Sequence, residues 1–124
     1  MSTINAQNYG DGTDSVPASA VLEGTAKAWV NFNGTGTIAT RDSYNTSSIT
    51  DNGVGDYTVN FTDTFATGDY SMSGMGSAVT TDGRNLFEGF TARTTGAYRL
   101  LSTSGSSILT DGTYVNVSAH GDLA

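Results

Sequence analysis

Residues that favour chain reversal recur at short intervals along this sequence: Asn33-Gly34, Asp51-Asn52-Gly53, Asp82-Gly83, Gly96, Gly105 and Asp111-Gly112. Asn, Asp and Gly tolerate the positive φ of tight turns, so each cluster marks a place where the chain turns back. Turns this close leave room for short strands and not for long helices. Between them the pattern alternates. In "YTVNF", Tyr57, Val59 and Phe61 fall on one face while Thr58 and Asn60 fall on the other, the period of a strand with one dry side. Composition agrees: Gly numbers 16, and the Glu are limited to Glu23 and Glu88, so good helix formers are scarce. Further strands are predicted over roughly 26–32, 37–44, 46–50, 68–74, 76–80, 84–92, 97–103 and 113–119. Short strands joined by turns predict an all-β fold, an antiparallel β-sandwich or barrel over residues 26–124.

The stretch "AKAWVNFNGTGT", residues 26–37, reads as one strand and its turn. Ala28, Val30 and Phe32 point to the core, and Lys27, Trp29 and Asn31 point away from it. Trp29 is the anomaly, because a large aromatic on the wet face calls for cover from a loop, a second sheet or another subunit. There is also an internal echo. "SSITDNGVGDYTVNF" and "SSILTDGTYVNV", beginning at Ser47 and Ser106, share Ser-Ser-Ile, a Thr-Asp turn and a Tyr-Val-Asn-type ending, which predicts two hairpins of similar build.

Residues 1–25 are different. Their apolar residues are isolated, they hold the only proline, Pro17, and their charges are the acids Asp11, Asp14 and Glu23. This predicts an extended N-terminal attachment arm that is ordered where it is tied to something. Its apolar residues Tyr9, Val16, Val21 and Leu22, with Trp29 and Tyr44 of the β domain, are the candidate contacts to other subunits or to a partner.

Charge and motif content narrow the function. The net charge is −7, and Lys27, Arg41, Arg84, Arg93 and Arg99 stand singly, so no phosphate-tracking stripe is expected and nucleic acid is not an expected partner. Cysteine is absent, and no apolar run reaches membrane-spanning length. The N-terminus has neither the basic start nor the apolar middle of a secretion signal, so the chain is expected to stay soluble where it is made. A Ser/His/Asp arrangement would have to use His120 with Asp111 or Asp122, yet His120 lies in "SAHGDLA" near the end and no Gly-x-Ser-x-Gly elbow occurs. Most Asp stand beside Gly or Asn, where turns want them. "DGTD" at 11–14 and "DNGVGD" at 51–56 are oxygen-rich without calcium-loop spacing, and no phosphate-cradling Gly motif occurs. The expectation is a protein without catalytic residues, cofactor or metal: a binding or structural module.

"AWVNFNGTGT", "SSITDNGVGDYTVNF" and the closing "GDLA" resemble a module that recurs in bacteriophage tail-fibre and related virion proteins. Residues 26–74 carry the resemblance most strongly and 75–124 less so. It implies a small β-structured, homotrimeric, non-enzymatic virion part, made in the cytoplasm of a host bacterium. Fibre proteins place such a module after a long shaft, whereas about 25 residues precede it here. That departure favours a capsid decoration, or cement, protein gripping the major capsid protein or another virion protein through residues 1–25. The alternative is a tail-fibre or receptor-binding tip, in which loops carrying Tyr44, Tyr70, Phe87, Tyr98 or Tyr114 would meet a host glycan.

Overall fold

The computed structural model describes residues 2–79, 82–89 and 93–124. Among these residues the fold is all-β apart from one short helix. Eight strands form one antiparallel sheet: β3 (Ala28–Asn33), β4 (Ala39–Tyr44), β5 (Thr46–Gly53), β6 (Asp56–Phe61), β7 (Ser71–Ser77), β8 (Gly83–Glu88), β9 (Ala97–Thr103) and β10 (Tyr114–His120). Before them come β1 (Asn8–Gly10), β2 (Ser15–Pro17) and α1 (Ala18–Gly24). The order across the large sheet is β4-β3-β10-β7-β8-β9-β6-β5.

The two outermost strands, β4 and β5, are consecutive in the chain and separated by Asn45 alone, so the sheet curls until its ends meet in a near-barrel. Asn45 makes the corner. It sits at φ 50, a conformation Asn accepts more readily than most residues. Its amide donates to the carbonyls of Lys27 and Asp63, at 3.0 and 3.1 Å, and its side-chain oxygen accepts from the Asp63 N–H. The Thr46 hydroxyl adds a bond to the Trp29 carbonyl. One side chain thus pins β3, the corner and the exit of β6 together.

The alternation read from the sequence sets the inside. Ala28, Val30 and Phe32 from β3, Tyr57, Val59 and Phe61 from β6, and Val115, Val117 and Ala119 from β10 are all buried. Phe32 meets Tyr57 edge to face at 5.1 Å, and Phe61 packs on Phe65 at 5.0 Å and Tyr70 at 5.6 Å, arrangements that add to the area buried. One end of the barrel is closed by polar groups. The buried Tyr57 hydroxyl donates to Asp111 Oδ1 at 2.9 Å, and the same oxygen accepts the Gly55 N–H at 2.7 Å. The Gly34 N–H donates to the Gly112 carbonyl at 2.8 Å. Burial and the neighbouring Asp111 carboxylate push the Tyr57 phenol well above its ordinary range, so it stays a donor.

Several expectations are corrected. The segment expected over 76–80 is not a separate strand, since β7 runs to Ser77. β8 stops at Glu88, and the remainder expected for it, 90–92, lies outside the described residues, as does Thr80. The echo breaks down: 47–61 is the β5–β6 hairpin, but Ser106 lies in the loop leading to β10, which pairs with β3 and β7 instead. The N-terminal segment is not extended throughout. Tyr9 pairs with Val16 in a β1–β2 hairpin whose turn is held by Asp11 Oδ1, which accepts the Thr13 and Asp14 N–H groups, and α1 follows directly. His120, although near the end of the sequence, is held as the last residue of β10 opposite Ser71.

Asp56, read as one of the turn acids, is a buried strand residue whose carboxylate takes Arg99 Nε at 2.7 Å and also meets Arg99 Nη2. The guanidinium hydrogen bond holds the Asp56 carboxyl below the usual range. A depressed folded-state value means a contribution to stability that is complete above the unfolded-state value and is lost as pH falls through the folded one. Asp56→Asn is therefore expected to melt lower than wild type at neutral pH, with the gap closing as pH falls to about 2. Thermal melts across that range check this, and a gap of constant size would show that the pair adds nothing pH-dependent.

Candidate functional site

The outer face of β4, β3, β10 and β7 is the surface where large side chains gather without a covering layer. Register fixes its rows. Tyr44, Trp29, Ser118 and Ser73 lie side by side across the four strands, and Asp42, Asn31, Asn116 and Met75 form the next row. Because their neighbours along β3 and β10 point into the core, all of these residues point outward. Trp29 is 37% exposed, Tyr44 56%, Met75 78% and Tyr114 45%. Tyr44, from the same chain, pairs beside Trp29, and no loop buries the indole. Between the rows runs an open trough of about 600 Å³ lined by Trp29, Asn31, Asn116, Ser118, Ser73 and Met75.

The face has little net charge. The Arg41 guanidinium lies 4.1 Å from the centre of the Tyr114 ring and donates to Asn31 Oδ1 at 3.3 Å, so this cation covers an aromatic and orients an amide. A β-bulge between Asn31 and Phe32 shifts the β3–β4 register just there, beside Arg41. Ser73 and Ser118 join hydroxyls at 3.0 Å.

A second concavity lies where β7 and β8 diverge. Their ladder holds only at Gly76 with Arg84 and at Ser77 with Gly83. Beyond it a cavity of about 200 Å³ is lined chiefly by Met72, Leu86, Tyr98, Leu100 and Val117. Arg93 bridges its far end, donating to both Glu88 oxygens at 2.7 and 2.8 Å and to the Tyr70 carbonyl.

Of the expected contact residues, Trp29 and Tyr44 are neighbours on the outer face, while Tyr9, Val16, Val21 and Leu22 are exposed in the N-terminal segment. Among the described residues, every hydrogen bond of residues 2–24 ends no further along the chain than Lys27, and none of those residues is buried. The loop aromatics expected to meet a glycan are corrected: Tyr70 and Tyr98 are core residues at 3% and 4% exposure, and Tyr44, Phe87 and Tyr114 lie in strands. Asp111 is committed to Gly55 and Tyr57 and offers His120 no support as an orienting acid. Among the described residues, no three His, Asp or Glu side chains gather closely enough to hold a metal ion. The sequence did not signal Met75 or the ion pairs of Arg93 and Arg99, since glycines blur the period around Met75 and the partners are distant or set by loops. A scan against protein-family models and searches of curated proteins and of solved structures found no match.

Proposed function

We propose that this protein is a non-enzymatic structural component of a bacteriophage virion, a homotrimeric capsid decoration protein that grips the major capsid protein or another virion protein through residues 1–25. One observation carries the reading: a barrel with its own apolar core is preceded by a hairpin and a helix none of whose described residues is buried. A two-stranded hairpin is marginal alone, and so is a seven-residue helix with no side-chain cap. Tyr9, Val16, Val21 and Leu22 are exposed on these elements, an apolar set suited to a partner surface. Three such arms on one trimer would raise the effective concentration of each, so that release requires all three to let go together. The net charge of −7 suits an outer face kept soluble and a basic patch on a shell beneath it.

A tail-fibre or receptor-binding tip is the second reading, favoured by the uncovered aromatic and amide face around Trp29. Immunogold electron microscopy of purified particles separates the two. Label spread over the head is the expected result. Label confined to the tail would replace decoration with the tip, and particles without label would remove the virion role altogether.

A further inference from the structure

We propose that the outer face of β3, β10 and β7 binds a neutral, hydroxyl-rich carbohydrate chain, with Trp29 as the stacking platform, Asn31 and Asn116 as the polar readers, and the Tyr114 ring capped by Arg41 as the far edge of the site.

The layout supports this step by step. Trp29 lies opposite Ser118, and Tyr114 is four positions from Ser118 along β10. At about 3.3 Å per residue the two positions stand roughly 13 Å apart along the strands. The paired residues Asn31 and Asn116 lie midway. A pyranose presents an apolar C–H face and a rim of hydroxyls that both donate and accept. An aromatic ring suits the first, and a carboxamide, with two donors and an acceptor, suits the second. Asn116 is exposed, and among the described residues its amide has no hydrogen-bond partner. Asn31 uses only its oxygen, accepting from Arg41, which leaves its NH₂ available. The hydroxyls of Ser73 and Ser118 extend the polar row beyond Trp29.

Charge selects among ligands. Of the cations near the stripe, Arg41 is already stacked on Tyr114, with Asp42 nearby, and Lys27 donates to the Leu22 and Thr25 carbonyls, while the whole chain is at −7. An anionic polysaccharide would meet net repulsion and no cluster of guanidinium or ammonium groups. A second copy of the chain is a poorer occupant, because closing this face on itself would bury amides whose bonds to water would have to be replaced one for one. The platform is also stiff. Behind it Ala28, Val30, Phe32, Val115, Val117 and Ala119 are packed in the core, so little ordering cost falls on binding.

The inference rests on the host-contacting reading of this face but is tested apart from it. Trp29 is the only tryptophan, so its emission in the intact protein reports on this face alone. The titrants are neutral gluco-, manno- and N-acetylglucosamine oligosaccharides, with polygalacturonate as the anionic control. A saturable blue shift with at least one neutral series is expected, with none from polygalacturonate. The double variant Asn31→Ala, Asn116→Ala should keep the wild-type melting temperature and bind at least about tenfold more weakly, from two lost hydrogen bonds. No shift with any neutral series overturns the proposal, as does binding untouched in the double variant. A shift driven by protein concentration alone would assign the face to a second copy. Tail labelling without a sugar response removes this inference and leaves the tip reading standing; a sugar response with head labelling does the reverse.

Discussion

Removing residues 1–24 is expected to leave the barrel folded, with a melting temperature within a few degrees of the full chain, while abolishing attachment to particles. The first half follows from where the segment sits in the energetics. None of its described residues is buried, and its hydrogen bonds stay within the hairpin, the helix and the contacts of Lys27 with the Leu22 and Thr25 carbonyls. The buried core begins at Ala28 and includes no residue of the segment, so the hydrophobic term that holds the barrel together is left in place. The second half follows from multivalency. If each arm makes a weak contact and three act together, losing all three should lower retention on stripped particles at least about a hundredfold. Calorimetry on the truncated protein and a re-binding assay on particles lacking it measure the two halves separately. Loss of folding would make the segment part of the domain's stability and end the arm model. Retained binding by a folded barrel would move the attachment site to the barrel itself.

The face and the arm differ in how far a reader of the sequence could have placed them. Trp29 was legible as an outward residue because Ala28, Val30 and Phe32 alternate around it without interruption. Its neighbours were not. Ser118 comes beside it, with Ser73 next in the row, because β10 inserts between β3 and β7, a pairing of segments some 45 to 90 positions apart that local period does not encode. From the sequence Tyr70 and Tyr98 are expected glycan contacts, yet the first lies against Phe61 and Phe65 and the second lies in the inward row of β9 with Leu100 and Ser102. The α1 helix was missed because seven residues without a capping side chain leave no periodic trace. Asp111 was readable as a turn residue beside Gly112, but its reach to Tyr57 depends on the closure of the barrel.

That closure leads to the largest stability effect expected of a single methyl group. Gly55→Ala should cost about 3–5 kcal/mol, a large share of the roughly 5–15 kcal/mol that holds a domain of this size. Gly55 sits at φ +64, where a Cβ is disfavoured by about 1 kcal/mol or more, and an added Cβ would come within 2.4 Å of the Ser102 carbonyl oxygen and 2.6 Å of the Thr110 nitrogen. Both are backbone atoms, and they are bonded to each other at 2.9 Å. The Ser102 N–H in turn donates to the Gly55 carbonyl at 2.8 Å, and the Gly55 N–H donates to Asp111. Any shift that admits the methyl group therefore breaks bonds at the end of the barrel where Tyr57 is buried, each leaving a group that costs about 1–3 kcal/mol when unsatisfied. Gly36 provides the matched control, with φ +60 and nothing within 4 Å of its would-be Cβ, so Gly36→Ala should show only the conformational part, about 1 kcal/mol. Urea unfolding of both variants isolates the steric share as their difference. Equal losses would mean that the Gly55, Ser102 and Thr110 backbones move apart freely, and that the Tyr57–Asp111 end of the barrel is softer than its hydrogen bonding implies.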